Sequence, residues 1–248
     1  MRIVVSQPMY FPWVGLFEQI ALADVFVFYT DVQFSKGSFT NRVQIKTRSG
    51  STWLTVPLHN LRLGQSINDV LVEPGRRWQD RHVSLLQDAL SGADFYDDAY
   101  DLMRRVFSSC DHTTIADVAS ASLRVVCEYF GLDRNKKFLS IDELAVKGQG
   151  SQRVLNIVKT LGGERYITGH GAQHYLDHEA FEKEGVLVEY MDYQCAPYPQ
   201  FHGQFTPYVS VLDLVAHCGR NGASAIRSGT IDWRNFFDRK KMLSEHNT

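Results

Sequence analysis

Polar side chains recur in this chain just where apolar, strand-like runs end, and those positions could hold or transform a small molecule. The first is Gln7, which follows Ile3-Val4-Val5-Ser6 and precedes Pro8-Met9-Tyr10-Phe11-Pro12-Trp13. Its amide offers a donor and an acceptor for a substrate amide or phosphate, with Tyr10 and Trp13 close by in sequence. The plainer role is to satisfy backbone groups around the two prolines. Asp31 and Gln33 leave a second apolar run, Val25 to Tyr29. Asp31 is the first-half carboxylate best suited to general-base or metal work, or else it opens an Asx-turn. Lys36, Asn41 and Arg42 follow. Lysine as a point charge and arginine as a fork suit phosphate or carboxylate, although a solvated hairpin face explains them as well.

The second half carries three further groups. Thr168-Gly169-His170-Gly171 reads as a strand-to-helix turn offering backbone N–H groups to an anion, or simply as a tight turn. His170, His174 and His178 share a four-residue spacing, but the glutamate of a zinc-protease signature is missing, so no metal site is assigned. Cys195 and His202 have the types of a nucleophile and base for a thioester-forming transferase, a pairing that sequence proximity alone often mimics. Last come Tyr198, Gln200, Phe205, Ser210 and Asp213. The two rings can stack on a sugar or base. Ser210 and Asp213 can instead cap a helix and favour its dipole. The loop from Pro197 to Pro207 is expected to fold back toward Gln7.

The elements that must position these groups read as an α/β fold, a mostly parallel sheet flanked by helices. A strand at Ile3–Ser6, a helix from Trp13 to about Ala23 and a strand from Val25 make the first βαβ unit. A β-hairpin follows over Phe39–Pro57, turning at Ser49-Gly50, with another strand over Ile67–Val72. Helical periodicity over Trp78–Leu90, Tyr96–Phe107 and Ile115–Phe130 predicts a helix-rich insertion at about 75–131 within a single domain. Thr113 or Thr114 starts the third of these helices and Gly131 stops it; Cys110 and Cys127 fall in helical, core-like patterns. Alternation then resumes: strands at Lys137–Ser140, Arg165–Thr168 and Val186–Tyr190, helices at Gln152–Leu161, Tyr175–Glu184 and Val209–His217. Lys240–Thr248 is expected to fray.

The 248 residues suffice for a substantial core, and 44% hydrophobic with 22% charged residues is the balance of a soluble globular protein. A formal charge of -2 argues against a dedicated nucleic-acid binder. No apolar run reaches the roughly 20 residues of a membrane span, and Arg2 leads straight into a strand rather than a signal peptide. Four scattered cysteines without a CxxC pair point to reduced thiols and a cytoplasmic location.

Several ordered motifs resemble the WbqC-like protein family. They are Gln7-Pro8-Met9-Tyr10-Phe11-Pro12-Trp13-Val14-Gly15, Ala23-Asp24-Val25-Phe26-Val27, Asp31 to Lys36, Asn41-Arg42 and Trp53-Leu54-Thr55-Val56-Pro57. Downstream, Tyr166-Ile167-Thr168-Gly169, Tyr175-Leu176, Gly185 to Val188, Tyr198-Pro199-Gln200, Phe205, Pro207 and Ser210 to Asp213 continue the match over nearly the whole chain. One departure is Gly37, where the resemblance leads one to expect a bulkier residue after Lys36. The resemblance implies a transferase of surface-polysaccharide (O-antigen) biosynthesis that moves an acyl or aminoacyl group, glycyl included, onto a nucleotide-linked amino sugar. The donor stays open between a thioester on a carrier, a carrier protein included, and ATP with Mg. Two alternatives stand beside it: an ATP-dependent amino-acid-activating ligase, by analogy with HIGH-type folds whose histidines are missing here, and a non-catalytic sugar- or peptide-binding module built on the aromatic loop from Tyr193 to Tyr208.

Overall fold

The computed structural model describes residues 1–108 and 113–245. Cys110 lies outside the described residues. The chain opens with β1 (Arg2–Ser6), α1 (Val14–Leu22) and β2 (Val25–Phe28). The hairpin is β3 (Arg42–Thr47) and β4 (Gly50–Thr55), followed by the short pair β5 (Leu58–His59) and β6 (Leu71–Val72). Three helices come next, α2 (Arg77–Leu90), α3 (Tyr96–Ser108) and α4 (Ile115–Phe130). Then follow β7 (Lys137–Ser140), α5 (Gly150–Thr160), β8 (Arg165–Thr168), α6 (His178–Lys183), β9 (Leu187–Asp192), α7 (Val211–Cys218), β10 (Gly229–Asp232) and α8 (Trp233–Glu245).

The main sheet has the order β10-β9-β8-β1-β2-β7, parallel throughout except for β10, which runs antiparallel to β9. Its strands alternate between two buried faces. Val4, Phe26, Phe28, Ile167 and Met191 point into a core shared with α1, α2, α3, α4 and α7. Ile3, Val5, Val25, Val27, Tyr166, Val188 and Tyr190 point into a second core under α5, α6 and α8. The helical insertion α2–α4 therefore builds no separate core: Leu86, Met103 and Leu123 pack in the same cluster as Phe17 and Leu214.

Helix α4 begins as its sequence dictates. Thr114 Oγ1 accepts a hydrogen bond from Asp117 N, the Asp117 carboxylate accepts one from Thr114 N, and Gly131 closes the helix in the left-handed region. Elsewhere local pattern gave way to packing. The run Ile67–Val72 is a 3-10 turn at Ile67–Asp69 followed by the two-residue β6, because Ile67 and Val70, three apart, both plug the core. The segment from Tyr175 forms α6 only from His178, where Asp177 caps it; a 3-10 turn over His170–His174 precedes it. Lys240 to Glu245 does not fray but ends α8, which is held by Phe236 stacking on Tyr190 at 4.2 Å. Residues 246–248 lie outside the described ones. No helix among the described residues is long and apolar enough to cross a membrane.

Candidate functional site

The chain leaves β1 through α1 toward β2, while β8 lies on the other side of β1. That reversal makes the gap beyond the carboxyl ends of β1 and β8 the topological switch point, where open α/β sheets take their ligands. The turn after β1 forms one wall of this gap. Phe11 has a positive φ of 39°, uncommon for an aromatic side chain, and surrounding groups pin it. Phe11 N donates to Ser122 Oγ at 2.9 Å, and Tyr10 N donates to Phe39 O at 3.1 Å. Ser210 Oγ donates to Phe11 O at 2.9 Å, and Val211 N to Pro12 O at 2.9 Å. The start of α7, rather than the Pro197–Pro207 loop, meets the opening turn: Ser210 also caps α7 by accepting from Leu212 N, while Gln200 of the loop turns to Tyr198, Thr206 and Lys46.

The cleft at the switch point encloses about 810 Å³. Gln7, Trp13, Thr168, Gly169, His170 and Cys195 line it, together with Gln19 and four tyrosines, Tyr29, Tyr175, Tyr193 and Tyr208. Among the described residues, no Asp, Glu, Lys or Arg belongs to this lining. Trp13 packs its indole 4.9 Å from Tyr193 and 5.6 Å from Tyr208, across a Gly15 that leaves it room. Thr168 is buried, and its neighbour Tyr166 hydrogen-bonds both to Thr168 and to Tyr175. His170 is held between Tyr193 and Phe236, with Nε2 2.7 Å from Met191 O. A carbonyl can only accept, so Nε2 carries a proton here, and in the neutral tautomer that this bond selects Nδ1 is the acceptor nitrogen.

Cys195 faces the cleft with a positive φ of 48°. Burial pushes its thiol pKa up, and the nearby Glu18 carboxyl adds to the effect. A thiol held protonated is a poor nucleophile. Its expected partner His202 is elsewhere: Nε2 donates to Ala89 O at 2.9 Å, and the ring lines a different depression, with Arg48, Asp88 and Phe201. The structure therefore does not assemble a Cys195–His202 nucleophile and base. Asp31, between Tyr29 and Val32 of the lining in sequence but not itself part of it, is gripped by the two terminal guanidinium nitrogens of Arg153, which also lies over Tyr29 at 5.2 Å. Its carboxylate is engaged by a bidentate ion pair.

Several expected ligand contacts are structural. Tyr10 is fully buried; its hydroxyl donates to His82 Nδ1 at 2.9 Å while His82 Nε2 donates to Thr55 O at 3.1 Å. Burial lowers His82 to about 4. Asn41 is buried and donates to Val56 O at 3.0 Å. Arg42 donates to Gly37 O at 2.6 Å and stacks on Trp53 at 4.3 Å, so Gly37, with φ +85°, serves the turn rather than widening a site. Gln33 and Lys36 are exposed, and Gln33 forms a bridge with Ser66.

The closing-loop residues form a half-buried brace. Gln200 donates to Tyr198 Oη at 2.9 Å and to Thr206 O at 3.0 Å, and accepts from Thr206 N at 3.0 Å. The buried Lys46 ammonium binds Gln204 O at 2.5 Å, Gly203 O at 3.2 Å and Gln200 Oε1 at 3.3 Å. Phe205 meets Tyr198 edge-on at 5.2 Å. Asp213 is 1% exposed and lies 3.5 Å from His217 Nδ1. Burial opposes charge on His217, but hydrogen bonding to Asp213 outweighs it and raises the pKa. Sequence reasoning did not single out Glu18 or Arg153. Glu18 is 1% exposed, and burial raises its pKa. An acidic residue inside the apolar stretch of α1 was the available signal. Arg153 offered none, because its partner is 122 residues away.

The fold is an α/β sheet of the doubly wound kind, with an aromatic cleft at its switch point whose lining carries no charged side chain among the described residues. The chain belongs to the WbqC-like protein family, which it matches over residues 7–225. It is 29% identical over 228 residues to a Mycobacterium tuberculosis (strain ATCC 25618 / H37Rv) protein called "Uncharacterized protein Rv1507c", covering 91% of this chain and 97% of that one. No solved structure matches the chain.

Proposed function

We infer that the switch-point cleft binds an amino sugar carried on a nucleotide and that the protein transfers an acyl or aminoacyl group to the sugar amine. The observation that carries this reading is the lining: rings of Trp13, Tyr193 and Tyr208 beside the amides of Gln7 and Gln19 and the Thr168 hydroxyl, with no charged side chain. Aromatic faces pack against the C–H faces of a pyranose while amides and hydroxyls bond its oxygens.

In the transfer, the amine nitrogen attacks the acyl carbon of the donor. The C–N bond forms, and the bond to the carrier sulfur or oxygen breaks. His170 Nδ1 takes the amine proton and passes it to the leaving group. Gln7 and the backbone of the Gly169–Gly171 turn face the oxyanion that develops. Cys195 stays a thiol and the acyl group passes directly, without a covalent enzyme intermediate. An activated nucleotide sugar as substrate would place the enzyme in the cytoplasm.

Binding tests the cleft assignment. Titration of the intrinsic Trp fluorescence with UDP- and dTDP-amino sugars should give saturable binding that Trp13→Ala weakens about tenfold or more. Unchanged binding in Trp13→Ala would remove the sugar from this cleft. The same neutral, aromatic lining suits a sugar-binding module without turnover, which would bind alike but yield no acylated product.

A further inference from the structure

A second cleft of about 750 Å³ opens at the start of α2, between the hairpin and the helix. Its lining includes Trp53, Glu73, Arg76, Arg77, Arg81 and His82. The three arginines are exposed, and no ion pair among the described residues involves them. The one carboxylate in that group, Glu73, is 3.2 Å from His59 Nδ1. The helix end beneath them carries no side-chain cap. Arg76 and Arg77 put guanidinium groups at the positive end of the helix dipole, the reverse of the usual placement, where Asp80 is the acidic residue of the first turn. A sequence that breaks a local rule in this way commonly does so for a ligand.

We propose that this cleft is an anion site for the diphosphate of a second, phosphorylated ligand. Three forks in one concavity match the two phosphates of a diphosphate, each guanidinium presenting paired donors, and the open first turn of α2 adds backbone N–H groups. Trp53, 37% exposed and lining the same cleft, offers an indole to whatever the diphosphate carries. His82 forms part of this cleft and also holds Tyr10 of the opening turn, so a buried hydrogen bond links this cleft to the segment that walls the first. A nucleoside diphosphate and coenzyme A both present the required group. The site stands on its own geometry and does not depend on the transfer chemistry assigned to the first cleft.

Isothermal titration calorimetry with inorganic pyrophosphate, UDP and coenzyme A tests it on the full chain. Pyrophosphate should bind the wild type, weaken with added salt, and lose at least about tenfold in affinity in Arg77→Ala/Arg81→Ala. Trp13→Ala, in the first cleft, should bind pyrophosphate like the wild type. Without ligand, the arginine variants should melt close to the wild type, since Arg77 and Arg81 are exposed and in no ion pair among the described residues; this separates lost binding from lost folding. Tighter binding of UDP or of coenzyme A than of pyrophosphate, reduced by Trp53→Ala, names the source, and equal affinities assign the site to the diphosphate alone. Absence of pyrophosphate binding at about 5 mM, or equal affinity in the double arginine variant, overturns the proposal.

Discussion

The Tyr10–His82 pair ties the opening turn to the hairpin and α2, and its protonation state sets a measurable pH dependence. His82 is 2% exposed, and its two ring nitrogens are committed, Nδ1 as acceptor from Tyr10 and Nε2 as donor to Thr55 O. Protonating Nδ1 would destroy the acceptor. Burial holds the pKa at about 4, below the 6.5 of a free histidine. The folded chain therefore binds fewer protons than the unfolded chain between those values. Stability rises with pH across that window and is lost as pH falls through it. Integrating the linkage gives a loss of about 2 kcal/mol from pH 7 to pH 5 and about 3 kcal/mol by pH 4 from this group alone. Urea unfolding of the wild type and of His82→Asn at both pH values isolates it, because Asn keeps a donor and an acceptor but does not titrate. The variant starts less stable, yet it should lose about 2 kcal/mol less than the wild type between pH 7 and pH 5. Equal losses in the two proteins, within about 0.5 kcal/mol, would refute a buried neutral His82.

Ser210→Ala removes both the α7 cap and the bond to Phe11 O, and should cost about 2–4 kcal/mol in chemical unfolding, with a Tm drop of roughly 5–12 °C. Lys46→Met strips a buried cation from three loop oxygens and should cost about 3 kcal/mol, with faster proteolysis in the Tyr198–Tyr208 loop. Gly15→Ala places a methyl where the Trp13 ring lies; displaced indole fluorescence with little change in the far-UV spectrum is expected, and unaltered fluorescence would argue against the packing. Cys195, raised by burial and Glu18, should react with iodoacetamide at pH 7.5 about tenfold or more slowly than a free thiol, read by mass spectrometry of the labelled peptide.

Much of the sheet was legible because its strands are short, apolar and β-branched and its helices carry their own punctuation. The Thr114–Asp117 box and Gly131 fix α4 to the residue. What failed was set by packing across the chain. Ile67 and Val70 read as part of a strand but fill the core from a turn, and α8, with Arg and Lys crowding its few apolar positions, is held by Phe236 on Tyr190. In the site, strand exits pointed to Gln7, Thr168, Gly169 and His170, and all four line one cleft, since strand ends in a parallel sheet converge on one edge. Tyr10, Asn41 and Gln200 have the side-chain chemistry of ligand contacts but spend it on buried backbone and neighbours, which sequence alone does not distinguish. Cys195 and His202, seven positions apart in sequence, face different cavities: the loop around His202 is held by Lys46 through Gln200, Gly203 and Gln204, and His202 itself by Ala89 O.

Direct acyl transfer with His170 as the base is tested most simply by product mass. UDP- and dTDP-amino sugars, each incubated with thioester or aminoacyl donors, should gain the mass of the acyl group with the wild type. Cys195→Ala should retain that activity within about threefold, whereas His170→Ala should lose roughly 10²-fold or more while binding the sugar normally. A product formed equally by wild type and His170→Ala, or abolished in Cys195→Ala with an acyl adduct trapped on that cysteine in the wild type, would contradict the account.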